Sequence, residues 1–541
     1  MGRRNLPSVN HRPNVRCVVA ILGSIAFSAF PAPAQTPALR FEVADVHPTT
    51  ASVNWDSREM SGGLMRGGLY HLRHATMLDL VRLAYGVDAN KVIGGPNWLA
   101  LDRFDIRAKV PAGTTAAGVK PMLQALLAER FGLVARNDVK PVQAWALTSG
   151  KNIQMKRADG AGDGRCLSGG SGDLVAVTCR NITMAAFVAN MGQLDGAWYY
   201  VGDNLVADQT GLGGAWDFDL KYSRRWNTTV AGAEIVSLFD AIEKSGLKLD
   251  ASKVPMSVIV VDSVNRQPTP NSPETDKAFP PVPTEFEVAD VRPTDPDFHG
   301  DDYQVEDGGR VHVRGTTLQS LVADSWGITG EMIVGAPKFM DSERWDIVAK
   351  APEVMATGGD VDTDFLRAMF RKLLTERFHL AVHYEERPMS AWVLTAPKPK
   401  LKKADPQSRS GCKEGPATLT KVEPRSTNPV LGRFLTCTNV SMAWFGQQLQ
   451  FLASAYVHSE VPDATGLEGG WDFTLSFSKI AQLRGGGGAS EKSDVSPASD
   501  PNGAISAPDA MEKQLGLKLE LRKRPVRVLV IDHVETKPTD N

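Results

Sequence analysis

The chain has 541 residues, of which 60 are basic and 62 acidic, so its formal net charge at pH 7 is −2. This length is enough for roughly two to four domains of about 100–200 residues, each with its own hydrophobic core. A mildly acidic balance without a basic tract argues against nucleic acid and anionic membrane surfaces as partners.

The first 34 residues have the pattern of a secretory signal. Several arginines precede an apolar stretch from Cys17 to Phe30, and Ala32-Pro33-Ala34 forms a small-x-small cleavage site before Gln35. The apolar stretch is shorter than the roughly 20 residues of a membrane-spanning helix, which favours a cleaved signal over a retained anchor. We therefore expect the mature chain, with a formal charge of −6, in the periplasm or outside the cell.

The first helix is predicted to begin after Thr76. Thr76 and Asp79 have the spacing of a capping box, and the apolar residues that follow recur with helical periodicity: Met77, Leu80, Val81 and Ala84. The period then changes to two, with Phe104, Ile106 and Ala108 alternating with charged residues. This alternation predicts a half-buried strand.

The opening of that strand, an aromatic residue followed by an aspartate, occurs four times. The four pairs are Phe104-Asp105, Trp216-Asp217, Trp345-Asp346 and Trp471-Asp472. Because side chains alternate along a strand, the pattern predicts that the aromatic residue faces the core and the aspartate faces outward, where basic neighbours partly neutralise it.

Matching segments show that the chain is a tandem duplication. Residues 41–49 match residues 286–294 at eight of nine positions. We place the first copy at residues 35–264 and the second at 285–541, with a proline-rich, extended linker at 265–284 between them. A stretch rich in glycine, serine and aspartate, residues 485–508, is predicted to be a flexible insertion in the second copy.

Each copy in turn reads as two halves, each with the order helix, strand, strand, helix, strand, strand. The closing strands of the first copy are predicted at residues 133–137 and 144–148, and again at 247–250 and 257–264. The last of these is apolar on both faces, which is typical of the interior of a sheet. We predict an α+β fold of two tandem homologous domains, with antiparallel or mixed sheets and helices on one face.

Beyond the signal there are four cysteines, in two equivalent pairs: Cys166 with Cys179, and Cys412 with Cys437. An oxidising compartment permits one disulfide in each copy, and each would contribute about 3 kcal/mol by loop-closure entropy. Four free buried thiols are the alternative. A zinc site is disfavoured because neither pair has the C-x-x-C spacing.

Four ordered blocks carry a resemblance to a known family. They are the Phe-Glu-Val-Ala opening of each copy, the blocks around Trp345-Asp346 and around Asp208, and the ending at residues 530–535. They resemble an acidobacterial, soil-associated family of secreted proteins whose domain has no assigned function. The resemblance implies an exported protein of an expanded bacterial family and transfers no catalytic residue. The units are also similar, more distantly, to the N-terminal domains of secretins and TonB-dependent receptors, which bind envelope proteins.

The histidines give no metal-binding motif. His71 and His312 occupy equivalent positions in the two copies. Four other histidines are matched by a different residue type in the other copy: His74, His379, His383 and His533. No His-Glu-x-x-His occurs, and a strand between His379 and His383 would separate them by about 13 Å. We predict no metal site and no cofactor.

Asp208 and Asp463 open equivalent Asp-x-Thr-Gly segments. Two carboxylates donated by two copies are how a bilobal aspartic protease makes its dyad. Here an extra residue separates Asp from Thr-Gly, and a strand follows. These features favour a turn in which the aspartate accepts local backbone hydrogen bonds.

The remaining candidates have simpler structural explanations. Ser171 lies in a glycine-rich segment that lacks the features of a nucleophile elbow. Glu129-Arg130 and Glu376-Arg377 are predicted to be solvated or salt-bridged at a helix end. Several tryptophans are predicted to be core residues rather than a sugar-stacking platform, namely Trp98, Trp145, Trp198, Trp392 and Trp444.

A structural pattern is duplicated without any duplicated polar cluster, which favours a non-enzymatic envelope or extracellular binding protein. Its partner would be an envelope protein, a peptide or a glycan, bound at exposed sheet edges or between the copies. The alternative is a secreted hydrolase of envelope or extracellular polymer, with Asp208 and Asp463, or His71 and His312, as participants. The hydrolase requires these groups within hydrogen-bond reach in a concave pocket.

Overall fold

A computed structural model describes residues 39–49, 60–170, 174–224, 236–279, 283–306, 308–352, 363–421, 424–428, 430–483 and 503–539. The predicted signal, residues 1–34, lies outside the described residues, as does the predicted insertion up to residue 502. The end of that insertion is helical instead, because Ser506 caps a helix at Ala507–Ala510 with its hydroxyl accepting the Asp509 N–H at 3.2 Å.

The first copy contains twelve strands among its described residues: β1 (Val43–Pro48), β2 (Ser61–Arg66), β3 (Leu69–Thr76), β4 (Val92–Gly94), β5 (Arg103–Lys109), β6 (Val134–Ser149), β7 (Lys156–Arg157), β8 (Arg165–Gly169), β9 (Leu174–Thr183), β10 (Val206–Asp208), β11 (Ala215–Ser223) and β12 (Leu247–Ser263). Its helices are α1 (Met77–Tyr85), α2 (Ala116–Phe131), α3 (Met184–Asn190), α4 (Trp198–Val201) and α5 (Leu238–Lys244), followed by α6 (Thr275–Ala278) in the predicted linker. Short 3-10 turns occupy Ala89–Lys91, Asn97–Ala100 and Met191–Gln193.

The second copy repeats most of this order. Its described strands are β13 (Val288–Pro293), β14 (Asp302–Glu306), β15 (Arg310–Thr317), β16 (Ile333–Val334), β17 (Arg344–Lys350), β18 (Ala381–Thr395), β19 (Lys402–Lys403), β20 (Gly411–Glu414), β21 (Arg433–Val440), β22 (Trp471–Phe477) and β23 (Lys518–His533). Its helices are α7 (Leu318–Trp326), α8 (Phe339–Ser342), α9 (Thr363–Arg377), α10 (Pro424–Thr427), α11 (Met442–Leu452), α12 (Ile480–Leu483) and α13 (Ala507–Ala510), with a 3-10 turn at Gly330–Met332 and a π-helical turn at Met511–Leu515.

The described residues of each copy form three sheets. Two are antiparallel, with strand orders β1-β5-β3-β2 and β7-β11-β9-β8 in the first copy, and β13-β17-β15-β14 and β19-β22-β21-β20 in the second. The third is mixed, with order β10-β6-β12-β4 in the first copy and β16-β23-β18 in the second. The prediction of a mixed helix and strand fold with antiparallel or mixed sheets is thus confirmed at this level.

The helix predicted after Thr76 is confirmed, and both hydrogen bonds of its capping box are present. The Asp79 N–H donates to the Thr76 hydroxyl at 3.1 Å, and the Thr76 N–H donates to the Asp79 carboxylate at 3.0 Å. The apolar face of α1 is buried, and Gly86 ends the helix at φ 65°, a conformation that favours glycine.

The closing strands of each half differ from the prediction. Residues 133–137 and 144–148 belong to one strand, β6, and the two strands predicted at the end of the copy are likewise one, β12. Pro141 and Pro255 lie between the predicted strands and face each other across the antiparallel β6-β12 pair. The backbone N–H of Trp145 points away from β12 and donates to the Leu205 carbonyl at 2.8 Å. Because backbone directions alternate along a strand, the backbone nitrogen of Pro141, four residues earlier, also points away from β12. A proline there removes no hydrogen bond from the ladder.

The long pair, which we call the central ribbon (β6 with β12), joins the two cores of the first copy. Ile259 and Val261 of β12 pack in the core built on α1 and α2, whereas Trp145 and Leu147 of β6 pack in the core built on α3 and α5. Each fully buried side chain of this size contributes roughly 1.5–3 kcal/mol by the hydrophobic effect. The ribbon therefore couples the stability of the two halves.

The segment predicted to be an extended linker packs against the first copy. Arg130, only 8% exposed, donates to the Thr269 hydroxyl at 3.1 Å and to the Asn271 side chain at 2.6 Å. Asn271 in turn donates to Asp45 on β1 at 2.7 Å. The prediction that Arg130 is solvated or salt-bridged is therefore wrong, because the guanidinium holds the chain that follows β12. In the second copy the Arg377 guanidinium makes an equivalent contact, donating to the Thr539 carbonyl at 3.5 Å.

Among the described helices, none combines the length and the apolar composition required to cross a lipid bilayer.

Candidate functional site

The four aspartates of the repeated strand opening accept backbone hydrogen bonds, and Asp346 also lies 3.9 Å from the basic side chain of Arg314. Each carboxylate accepts an N–H from the neighbouring strand: Asp105 from His74 at 2.8 Å, Asp217 from Asn181 at 2.7 Å, Asp346 from Gly315 at 3.0 Å and Asp472 from Asn439 at 2.9 Å. Every donor has positive φ, between 48° and 72°, and lies where the register of the strand pair shifts. The aspartates thus stabilise a β-bulge in which a residue takes the left-handed conformation.

Asp208 and Asp463 have a local structural role. The Asp208 carboxylate accepts the Thr210 N–H at 2.9 Å and the Thr210 hydroxyl at 2.7 Å. Asp463 accepts the same two groups of Thr465 at 2.8 and 2.7 Å. The interpretation of both segments as turns is confirmed, and no hydrogen bond joins the two carboxylates.

The histidines are distributed over separate surfaces. The ring of His71 stacks on Phe365 of the second copy with centroids 5.7 Å apart, while His312 lies 3.5 Å from Glu306. On the exposed end of β18 and β23, His383 contacts Asp532 at 2.8 Å. Nearby, His379 and His533 lie 3.4 and 4.0 Å from Glu535. Within the described residues, no group of three or more histidine, cysteine or acidic side chains is arranged to hold a metal ion.

The cysteines pair as predicted. Cys166 is bonded to Cys179 and Cys412 to Cys437, with Cα atoms 4.0 Å apart in both pairs. Both bonds join directly opposed residues of neighbouring strands, β8 with β9 and β20 with β21.

The other candidates do not form a site. Ser171 lies outside the described residues. Trp145 is 2% exposed and belongs to the core, whereas Trp198 is 36% exposed and donates its indole N–H to Asp203 at 2.8 Å. Trp98, Trp392 and Trp444 are partly buried against the cores.

A polar pocket of about 540 Å³ lies at the start of α7 in the second copy. We call it the α7 pocket, and its walls come from β14, the β15-α7 junction, α8 and α9. Its floor is apolar and buried, with Val313, Leu321, Leu366 and Phe370. Gly315 allows this arrangement, since a Cβ there would meet a ring carbon of Phe298 at 2.8 Å. Sequence reasoning missed this pocket, because its residues are adjacent only in the fold.

One buried hydroxyl in the α7 pocket has no partner. Ser325 on α7 is 2% exposed and lines the pocket, and its Oγ has no hydrogen-bond partner among the described residues. A buried polar atom without a hydrogen bond costs about 1–3 kcal/mol. A ligand that bonded this hydroxyl would remove that cost.

Charged side chains surround the opening of the pocket. Four carboxylates line it, Asp301, Asp302, Asp324 and Asp341, together with two guanidinium groups, Arg344 and Arg367. Both arginines donate to backbone carbonyls: Arg344 to Gly300 at 3.1 Å and Arg367 to Asp324 at 2.9 Å. Within the described residues neither Asp301 nor Asp341 has an ion-pair partner. The carboxylates thus outnumber the cations.

The first copy has different side chains at the equivalent positions. Leu83 and Ala84 correspond to Asp324 and Ser325, and Ala100 corresponds to Asp341. Leu83 and Ala84 pack on the hydrophobic core there. A pocket of about 360 Å³ in the first copy lies elsewhere, around Arg130 and Thr269. Asp324, Ser325 and Asp341 therefore distinguish the α7 pocket from the equivalent region of the first copy.

Comparison with known proteins identifies a protein family. A family model described as "Protein of unknown function (DUF3738)" matches residues 78–264 and again residues 319–534. No curated protein and no solved structure matches the chain. The first matched region begins in α1 and ends just after β12. The second begins in α7 and ends just after β23. The prediction of two tandem copies of a domain without an assigned function is confirmed.

Proposed function

The chain belongs to the DUF3738 family of proteins of unknown function, and from this premise we propose that it is an exported, non-enzymatic binding protein. In this proposal the second copy binds a small polar ligand in the α7 pocket, and the first copy serves as a structural partner. A concave pocket with an apolar floor and a few convergent polar groups is the usual form of a ligand site.

The observation that carries this proposal is the unpartnered hydroxyl of Ser325 at the buried wall of the pocket. The equivalent residue of the first copy is Ala84, which fills the same helical position without a polar atom. A serine that destabilises the free protein is explained if a ligand supplies its hydrogen bond.

The same hydroxyl favours binding over hydrolysis. A serine nucleophile needs a base within hydrogen-bond reach, and Ser325 Oγ has no such neighbour among the described residues. The shared aspartates of the strand openings and of the Asp-x-Thr-Gly turns are engaged in backbone hydrogen bonds. They are therefore committed to the fold in both copies.

Export is supported by two independent features. The N-terminal segment has the composition of a secretory signal, and two disulfides are compatible with an oxidising compartment. Both agree with the resemblance to secreted acidobacterial proteins, and we include a periplasmic or extracellular location in the proposal.

We further propose that each copy consists of two related halves. In the first copy, the orders β1-β5-β3-β2 and β7-β11-β9-β8 are equivalent when the strands are counted from the start of each half. Both sheets also have the aspartate-bound bulge just before a helix. A duplication that preceded the tandem one would explain both features.

The test is a ligand screen on the mature full chain by thermal shift, followed by calorimetry. We expect a polar small molecule to stabilise the protein, and we expect Ser325→Ala and Asp341→Ala, which restore the first-copy residues, to reduce its affinity. Glu331→Ala, an exposed acidic residue of the same copy outside the pocket, is the matched control.

Chemical analysis of the ligand after incubation separates the two functional hypotheses. Recovery of unchanged ligand supports a binding protein. Time-dependent conversion that Ser325→Ala or Asp341→Ala abolishes would establish an enzyme and overturn the proposal, as would ligand binding that no pocket variant affects.

A further inference from the structure

We propose that the α7 pocket recognises a primary ammonium group, carried by a small organic amine or by a lysine side chain. This inference rests on the proposed function, because it requires that the pocket bind a ligand, and it specifies what that ligand must carry. It is derived from the charge and hydrogen-bonding capacity of the lining.

The charge of the lining favours a cation. Four carboxylates face two guanidinium groups, and both guanidinium groups donate to backbone carbonyls of the pocket wall. Asp301 and Asp341 have no ion-pair partner within the described residues. An anionic ligand would meet this excess of carboxylates, whereas an ammonium would form charge-assisted hydrogen bonds with them.

Oxygen acceptors along α7 fit the same ligand. An ammonium has three donors and no acceptor, so it requires oxygen acceptors on several sides. Asp324 and Ser325 are consecutive on α7, and Ser320 and Thr317 line the same pocket one to two helical turns earlier. The Ser325 hydroxyl, without a partner in the free protein, is available as an acceptor.

The apolar floor and the rim of the pocket indicate which kind of molecule carries the ammonium group. Leu321, Leu366 and Phe370 are buried beneath the polar groups and fit a short hydrocarbon or sugar-ring body. Tyr303 at the rim is 51% exposed, so its aromatic face adds an attractive surface for a cation or for the body of the ligand. A metal ion lacks such a body, and the described residues contain no cluster suited to one.

The experiment measures the affinity of the mature full chain by calorimetry for two amines and their neutral counterparts. The small amine is glucosamine, with glucose as its counterpart. The lysine source is the blocked tripeptide Gly-Lys-Gly, with Gly-Gln-Gly as its counterpart. We expect at least one amine to bind tenfold or more tightly than its counterpart, and the better amine identifies the source.

Variants that convert the lining to that of the first copy locate the binding. Asp324→Leu with Asp341→Ala should weaken amine binding at least tenfold, and Ser325→Ala should weaken it severalfold. Glu331→Ala should leave it within twofold. The affinity should also fall as salt is raised, because the contact is between charges.

The outcomes separate this inference from the proposed function. If glucose or Gly-Gln-Gly binds as tightly as its amine and the pocket variants abolish that binding, the pocket binds ligands but does not select an ammonium, and the inference fails alone. If none of the four compounds binds, the inference also fails, and the broader ligand screen still decides the proposed function. Amine binding that survives the double variant would contradict the location.

Discussion

At the scale of single residues, the aspartates of the four repeated strand openings accept hydrogen bonds from the backbone. Each accepts one N–H from a residue at positive φ and thereby offsets the cost of a bulge that interrupts the strand ladder. Sequence alternation correctly placed the aromatic neighbour toward the core, as for Phe104 at 1% and Trp345 at 3% exposed. The backbone N–H that each aspartate binds could not be predicted from the sequence, because it lies on the neighbouring strand.

Removing one of these carboxylates should destabilise the fold. Asp217→Ala leaves the Asn181 N–H without its acceptor, so we expect a loss of about 1–3 kcal/mol in the free energy of unfolding, measured by urea denaturation. The control is Asp219→Ala on the same strand. Asp219 makes an exposed ion pair with Arg180 at 3.0 Å, which predicts a loss of about 0–1 kcal/mol. Equal losses for the two variants would contradict the structural role of Asp217.

Alkaline pH should destabilise the first copy through Tyr70. Burial raises the pKa of Tyr70 to about 12, and the side chain is 2% exposed. Because an unfolded tyrosine ionises near pH 10, the stabilisation is complete below about pH 10 and is lost as pH rises toward 12. At pH 11 the loss from this residue should be about 1 kcal/mol. Thermal unfolding at pH 9 and pH 11 should show a smaller loss for Tyr70→Phe than for the unmodified protein.

A matched variant serves as the reference for that pH series. Tyr384 is 43% exposed, so Tyr384→Phe should leave the alkaline loss unchanged. An identical alkaline loss in Tyr70→Phe and Tyr384→Phe would exclude the buried phenol as the cause.

At the scale of elements, the disulfides fasten the short edge strands β8 and β20 to their neighbours. Cys166 and Cys179 are 13 residues apart, and Cys412 and Cys437 are 25 apart. Loop-closure entropy then predicts stabilisation of about 3 and about 3.5 kcal/mol. The edge strands themselves are short and contribute few apolar contacts, so the covalent bond has a large share in holding them.

The paired cysteine-to-serine variants test this account. We expect C166S with C179S, and C412S with C437S, each to lower the free energy of unfolding by about 2–4 kcal/mol. The denatured, unreduced mature chain should give no free thiol with a thiol reagent. Four reactive thiols per chain would instead support the alternative of free cysteines.

In the central ribbon, each pair of predicted closing strands is one continuous strand. A proline in a sequence usually predicts the end of a strand. Pro141 and Pro255 nevertheless face each other in the middle of the central ribbon, and Pro388 and Pro525 do so in the equivalent β18-β23 pair. Outward-facing prolines also remove donors from an exposed strand edge, and such edges otherwise promote association with other chains. At the same edge the Asp138 carboxylate accepts the Val139 N–H at 2.7 Å, so this backbone donor is not available to another chain.

At the scale of the whole molecule, a segment of the second copy contacts the first. Asn97 exchanges two hydrogen bonds with it, accepting from the Ser410 N–H at 3.0 Å and donating to the Pro406 carbonyl at 3.2 Å. Further along, Lys421 reaches Asp250 at 2.8 Å and Leu419 packs on the core of the first copy. The copies are therefore joined by residues 406–421 as well as by the chain connection.

Weakening this contact should expose the segment to proteolysis. Asn97→Ala with Lys421→Ala removes the side-chain hydrogen bond from Asn97 to the Pro406 carbonyl and one partly exposed ion pair, together about 1–2 kcal/mol. We expect cleavage within residues 406–421 to become roughly tenfold faster under native conditions. Lys398→Ala, an exposed lysine of the same copy, is the control and should not change the rate. An unchanged rate in the double variant would show that these contacts do not hold the copies together.

Features that depend on local periodicity or on repetition could be predicted from the amino-acid sequence. Helix α1 with its capping box, the strand opened by Phe104, the cysteine pairs and the duplication were all readable, because each follows from neighbouring residues or from comparison of the chain with itself. Contacts between distant segments, in contrast, became visible only in the folded chain. The contact of Asp217 with Asn181, the hold of Arg130 on Thr269 and the α7 pocket around Ser325 all require strand register and packing, and no short sequence pattern encodes either.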